Sequence, residues 1–421
     1  MKSSSILCFL FLAITILQAN PSLLSYQLPL ARNQDSSSHP YLDTLMRSFL
    51  EKTQIAGVSV TIMEGREVQY AQGFGYADVE NQLPMKPTTR IRTASVAKVL
   101  TATALGKLAT EGKLDFDTPL KSYIPYIQLP YASLTTRQIA GHTAGVQHRP
   151  STKKAKNKHY TEVRETVNFM MGDPLLFEPG TDYQYSTQGY NLLAALIEEV
   201  SGKRFVDYMR ENIFQPLQMT QTFPDHPSDY TAEDARMYYL KNGTLRLDKK
   251  IYDGSYKLAG AGFRSTSSDL AHMMQAYFNG FLSEKVIAQM CTSSVLQNGD
   301  STQVGIGWRL NRDGRDRLTI EHAGSWQGAR TVIVYYPDYQ LTVAMMINTQ
   351  CQVFIEETAH LLADAFWAHQ AAEKIQLAGW ESELTIRNDR LDGSIETYEG
   401  ILKFKNTHIG KLKIETDKAW L

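Results

Sequence analysis

Cysteine is scarce: the 421-residue chain has three, at positions 8, 291 and 351. Cys8 lies in an apolar run at the start, so a disulfide framework is excluded and one Cys291–Cys351 bridge is the most the rest could form. Two free buried thiols are the other reading. There is no Cys-x-x-Cys pair and no His-Glu-x-x-His stretch, so no metal and no cofactor is expected. Charge of one sign is missing too. With 43 basic against 44 acidic residues, no global field points to nucleic acid or to an acidic partner. The nucleophile elbow Gly-x-Ser-x-Gly does not occur, nor do internal repeats. Past the first twenty residues no apolar run is long enough to cross a bilayer.

Among the features present, the N-terminus is the simplest to read. Met1-Lys2 precedes the 12-residue apolar run ILCFLFLAITIL, and Gln18-Ala19-Asn20-Pro21 breaks it. This is the layout of a signal peptide over residues 1–19, cleaved after Ala19, with an uncleaved anchor as the alternative. Cleavage would give a secreted or periplasmic protein with no membrane span. Residues 20–39, Ser-rich near their end, read as a disordered leader.

The chain is organised around Thr93-Ala94-Ser95-Val96-Ala97-Lys98, which opens the segment VLTATALGKLATEGK. A helix so apolar on nearly all sides belongs inside a protein. Three residues advance a helix by most of a turn, so Ser95 and Lys98 share a face. Ser95 then stands in the first turn, where free N–H groups and the positive dipole end favour negative charge. Lys98 is an ammonium in an apolar setting, which lowers its pKa and frees an amine to act as a base. A serine hydroxyl needs such a neighbour to become a nucleophile. Ser151-Thr152-Lys153-Lys154 repeats the spacing, but in a charged run without a buried helix behind it.

Around this centre the periodicity predicts an α+β fold. Tyr41 to Lys52 has an apolar helical stripe (Leu42, Leu45, Met46, Phe49, Leu50). IAGVSVTIME and EVQYAQGFG flank Gly65-Arg66 as a hairpin. Gly106, inside the buried helix, points to a close neighbour. Residues 115 to 230 are mainly helical and loop-like, including a basic run at 149–158 that reads as a solvated loop. Arg317 to Glu321, Thr331 to Tyr336 and Leu341 to Asn348 return as strands, and Phe354 to His369 closes as a helix. The expectation is an antiparallel five-stranded sheet flanked by helices, with a mainly helical insert, over residues 40–370. ILKFK and KLKIE, within 371–421, read as a C-terminal β-hairpin tail.

Two later stretches could complete a site. Tyr185 follows the turn residues Pro179-Gly180 at a loop–helix junction, and a phenol beside an ammonium can be drawn toward phenolate and serve as a base. His322-Ala323-Gly324-Ser325 ends a strand. Gly324 permits close backbone approach, and the Ser325 N–H could form an oxyanion hole with that of Ser95. Singly, Tyr185 could be a packed aromatic and His322 a satisfied strand-end histidine.

Taken in order, Ser95-x-x-Lys98, Tyr185-Ser186-Thr187 and His322-Ala323-Gly324 resemble the serine β-lactamase and penicillin-binding protein superfamily, in its class C and esterase-like branch. His142-Thr143-Ala144-Gly145-Val146 is similar to that family's His-Thr-Ser-Gly turn. YSTQGYNLLAALIEEVSG and SYKLAGAGFRST are most similar to its mitochondrial serine β-lactamase-like members. The resemblance implies that Ser95 is acylated, that Lys98 and Tyr185 shuttle its proton, and that the N–H groups of Ser95 and Ser325 hold the oxyanion. Members that handle β-lactams well usually carry Asn where Thr187 stands and Lys-Thr-Gly where His322-Ala323-Gly324 stands. A hydroxyl at 187 and a mostly neutral imidazole at 322 grip a substrate carboxylate less well. The resemblance therefore implies a serine hydrolase, a peptidase or esterase acting on small peptides or esters through an acyl-enzyme, and the N-terminal signal layout adds the expectation that it is exported. A β-lactamase or D-Ala-D-Ala carboxypeptidase-type activity, or a low-turnover binding or self-assembling scaffold, are the alternatives. His142 reads as a loop-fixing residue.

Overall fold

The computed structural model describes residues 39–149, 158–250 and 252–374, together with strands at 380–387, 396–404 and 407–416. The expected signal peptide, the leader up to residue 38 and most of the basic run lie outside the described residues. Helix α1 (Pro40–Thr53) is followed by the antiparallel pair β1 (Gly57–Glu64) and β2 (Glu67–Asp78), then by a two-residue strand β3 (Leu83–Pro84). Helix α2 (Ala97–Thr110) carries Lys98, and α3 (Gly189–Ser201) belongs to the helical insert. Helix α4 (Ser267–Ala276) leads back to the sheet. There β4 (Arg309–Arg312), β5 (Leu318–Trp326), β6 (Ala329–Tyr336) and β7 (Leu341–Ile347) precede helix α5 (Ile355–Lys374).

The main sheet has seven strands, not five, in the order β3-β2-β1-β7-β6-β5-β4, with every neighbouring pair antiparallel. The two extra strands are its edges. A Leu-Pro dipeptide has no alternation to read, and Arg-Leu-Asn-Arg is a short charged edge of the kind that discourages further pairing. Strand β5 also continues past the expected Glu321 as far as Trp326.

The inner strands are buried on both faces, which is why their sequences lack polar alternation. Val58, Val60, Ile62, Val332, Val334, Val343 and Met345 join one core with Leu42, Met46 and Leu50 of α1 and Leu362 and Phe366 of α5. Ile333, Ala344 and Met346 point the opposite way, into a larger core shared with α2, α3 and α4. Helix α2 lies within that larger core. Burying Val99, Leu100, Leu105 and Leu108 completely contributes about 1.5–3 kcal/mol each. Gly106 meets the close neighbour expected: a Cβ there would lie 2.7 Å from Met290 Sδ and 2.8 Å from Leu282 Cδ1. Cys291 and Cys351 are both free thiols, so the optional bridge is not formed.

Beyond α5 the expected hairpin carries a third strand. Trp380–Arg387 pairs antiparallel with Glu396–Phe404, which pairs in turn with Thr407–Thr416. The alternation of Trp380, Leu384 and Ile386 is the signal for it in the sequence. Among the described residues, no helix is long and apolar enough to cross a membrane.

Candidate active site

Four separate segments converge on Ser95. The approach is tied down first: Ile91–Arg92 pairs with Phe263–Ser265, and both the N–H and the hydroxyl of Thr93 donate to the Phe263 carbonyl at 2.9 Å. Ser95 then occupies a 3-10 turn, Ala94–Val96, that runs directly into α2. Ala94 holds φ at +46°, a left-handed conformation that costs an alanine on the order of 1–3 kcal/mol. Ser95 is half-buried, while Ala94, Val96 and Lys98 around it are buried.

Lys98 has no exposed surface. Its Nζ donates to the Gly260 carbonyl at 2.7 Å and to Thr187 Oγ1 at 3.2 Å, and lies 4.7 Å from the centre of the Tyr185 ring. Burial, and next the charge of Arg309, push its pKa well below the ordinary lysine value. A neutral amine has two N–H bonds and one lone pair. The two acceptors at Gly260 and Thr187 take both N–H bonds, which leaves the lone pair to receive a proton. Thr187, expected to face a substrate, is instead buried and committed to Lys98.

Tyr185 is close enough to Ser95 for the serine hydroxyl to lower its pKa as a hydrogen-bond donor. Its phenol is not drawn toward phenolate: burial pushes it up to about 12, and the Ser95 hydrogen bond and the charge of Arg309 only partly oppose this. Two imidazoles fix the backbone beside the phenol. The Ser186 N–H donates to His142 Nδ1 at 3.1 Å, and the Thr187 N–H donates to His148 Nδ1 at 3.3 Å. The His142 ring lies 4.4 Å from that of Tyr185, and its carbonyl accepts the Gln184 N–H at 2.9 Å.

Strand β5 supplies the fourth side. Its pairing with β4 stops at Glu321, so residues 322–326 form an open edge, and that edge packs against the 3-10 turn of Ser95. A Cβ on Gly324 would sit 2.6 Å from the Thr93 carbonyl and 2.8 Å from the Ser95 nitrogen, so only glycine allows this approach. Ser325 follows at an exposed position. His322 is buried, bonds through Nδ1 to the Ala323 carbonyl at 2.8 Å, and is held neutral by burial and by the charges of Arg309 and Lys98. Its ring centre lies 6.4 Å from that of Tyr185.

The structure thus brings Ser95, Lys98, Tyr185, Thr187, His322 and Gly324 together, with Ser325 on the rim. Several neighbours escaped the sequence reading. The Gly260 carbonyl is a backbone group with no sequence signature. His148 is a single residue identified only by its contact. Lys257 lies 3.5 Å over the Trp326 ring, which Arg92 also contacts at 4.3 Å. Burial, then the charges of Lys98 and Arg92, lower Lys257 to about 6. The arrangement offers a half-exposed hydroxyl, a dry amine, a protonated phenol and an open strand edge, which are the parts an acyl transfer needs.

Comparison with known proteins gives the family and the fold. Residues 42–365 match the protein family described as Beta-lactamase. The serine beta-lactamase-like protein LACTB, mitochondrial, of Mus musculus is 31% identical over 302 residues, 54% of this chain and 54% of that protein. The match therefore spans about half the length of that relative. The octameric penicillin-binding protein homologue from Pyrococcus abyssi superposes with a TM-score of 0.67 at 22% identity, covering 89% of both chains. The D-amino acid amidase from Ochrobactrum anthropi complexed with L-phenylalanine gives 0.68 at 22%, covering 79% of this chain and 99% of that one. At that identity the two structures establish a shared fold.

Proposed function

The chain belongs to the beta-lactamase family, and from that premise we propose that it is a serine hydrolase whose Ser95 forms an acyl-enzyme on small amide or ester substrates. The observation that carries the reading is the dry Lys98 amine, its two N–H groups already occupied, 4.7 Å from the ring of Tyr185, on whose phenol the Ser95 hydroxyl acts.

The steps follow from the protonation states. The Ser95 proton passes to the Lys98 lone pair, directly or across the Tyr185 oxygen, as Oγ attacks the carbonyl carbon. The oxyanion forms at the open edge beside Gly324, where the N–H groups of Ser95 and Ser325 are its donors. As the carbonyl re-forms, the leaving nitrogen or oxygen takes the phenolic proton of Tyr185, and the Lys98 ammonium restores the phenol. Water then repeats the sequence on the ester and releases the acid. A phenol near 12 matches an amine or alkoxide leaving group better than a phenolate would.

A neutral His322 gives little attraction to a substrate carboxylate, and Thr187 is occupied by Lys98. Both features favour peptidase or esterase chemistry over efficient β-lactam hydrolysis. The apolar N-terminal run supports export, which N-terminal sequencing of the mature protein tests. The central experiment is mass spectrometry after a fluorophosphonate or penicillin trap. An adduct on the peptide bearing Ser95, lost in Ser95→Ala, is expected. Labelling elsewhere, or none with a folded protein, would sink the proposal.

A further inference from the structure

Away from the residues of the centre above, three further side chains converge. They are His159, on the approach to a short helix at Val163–Asn168, His226, before the turn at Pro227–Asp229, and Asp253. Their candidate ligand atoms all lie within 4.8 Å of one another. Asp253 Oδ2 lies 2.7 Å from His159 Nδ1 and 3.9 Å from His226 Nε2. The ring centres are 4.4 Å apart and the planes meet at 71°.

Their outer contacts orient those three atoms toward one another. The other oxygen of Asp253, Oδ1, accepts the Ser255 N–H at 2.7 Å, which fixes the carboxylate and leaves Oδ2 pointing at the imidazoles. His226 Nδ1 accepts the Ser228 N–H at 3.3 Å and lies 2.6 Å from Ser228 Oγ. That contact holds the His226 ring with Nε2 directed toward Asp253, and an ion bound there takes the place of the Nε2 proton. His159 is exposed, and His159 and His226 both border a cavity of 290 Å³, which gives an ion a way in and room for water.

We propose that His159, His226 and Asp253 form a binding site for a divalent transition metal of the zinc type, clipping three loops together. Bonds of about 2.0–2.1 Å in tetrahedral geometry put ligand atoms roughly 3.3 Å apart. The observed 2.7 and 3.9 Å bracket that spacing, so an ion opens one gap by about 0.6 Å and closes the other by as much. Two imidazoles and one carboxylate suit zinc, cobalt or nickel and are a poor set for magnesium or calcium. The three residues lie far apart in the sequence, which is why no spaced motif announces them. Asp253 is seven residues before Gly260, so an occupied site also braces the segment whose carbonyl holds Lys98.

The test uses the full chain, stripped with EDTA and titrated with Zn²⁺, Co²⁺ or Mg²⁺ and followed by calorimetry, metal analysis and thermal unfolding. The expected result is one Zn²⁺ per chain and a Tm rise of about 4 °C at a hundredfold excess over Kd. Visible Co²⁺ bands of a low-coordinate site should appear, with no response to Mg²⁺. His226→Ala and Asp253→Asn should each weaken Zn²⁺ binding at least tenfold; Asn keeps the Ser255 contact, so the loop fold survives. If either unfolds, exposed His159→Gln carries the same expectation. Substoichiometric zinc, or binding that ignores all three substitutions, overturns the site and leaves a surface His–Asp pair. The readouts are metal content and Tm, so this result is independent of whether Ser95 is acylated.

Discussion

Lys98→Met separates catalysis from stability. Methionine fills nearly the same volume, so the core around α2 stays packed. Two consequences differ in kind. The rate should fall by about 10²–10⁴, the range for loss of a positioned base. Stability should lose a pH dependence. The Lys98 pKa is lower in the folded state than the 10.5 of an ordinary lysine, so between those values the unfolded chain holds a proton that the folded chain does not. Stability from this group therefore rises with pH through that window, at about 1.4 kcal/mol per pH unit, and levels off below the folded pKa. Lys257, lowered to about 6, adds a second contribution of the same sign. Between pH 7 and 9 the variant should lose the Lys98 share of the slope and keep the Lys257 share. The absolute change at one pH mixes two orphaned acceptors, Gly260 O and Thr187 Oγ1, with relief from a desolvated amine, so the slope is the discriminating quantity. Urea unfolding of both proteins across this range measures it. An unchanged slope, or full activity in the variant, would refute the dry-amine reading.

Gly324→Ala should lower kcat by about 10²–10³ with a smaller effect on KM, because a methyl 2.8 Å from the Ser95 nitrogen must displace the oxyanion edge; steady-state kinetics on an activated ester decides it. Tyr185→Phe should cost about 10²–10⁴ on amides and under about tenfold on p-nitrophenyl esters, whose leaving group departs without a proton; equal losses on both would remove the phenol as proton donor. Arg92→Leu should destabilise by about 3–5 kcal/mol, since it strands the buried Asp225 carboxylate 2.8 Å away, and denaturant midpoints with the double variant Arg92→Leu/Asp225→Leu should recover most of it. Acid should silence turnover: a rate that rises with pH as Lys98 loses its proton is expected, and a flat profile would show that the amine is not the base.

Much of this was legible in the sequence because the informative signals are local. A serine and a lysine one turn apart on an all-apolar helix need no long-range information. The β-rich apolar runs of β1, β2, β6 and β7 and the stripe Leu42, Met46, Leu50 likewise declare themselves. What escaped was set by contacts between distant segments. The edge strands Leu83–Pro84 and Arg309–Arg312 exist through their partners. The backbone carbonyl of Gly260 has no side chain to read. The direction of the Tyr185 shift depends on burial, which no spacing reveals, and the nearby lysine suggested the opposite sign.

Those distant contacts also explain how the fold produces the chemistry. Ser95 and Lys98 come from the 3-10 turn and the start of α2 that follows it, Tyr185 from the helical insert, Gly260 from the segment before α4, and Gly324 from the sheet edge. None of these is dry alone; Lys98 loses water only because all four close over it. A strained Ala94 and a desolvated amine both oppose folding, and the core that surrounds α2 is what outweighs them. It follows that loosening the contact between sheet and helical region would hydrate Lys98 and return its pKa toward the ordinary value. Activity at neutral pH would then fall with every catalytic side chain still in place. The large core is therefore part of the proton-transfer machinery, because it sets the basicity on which Ser95 depends.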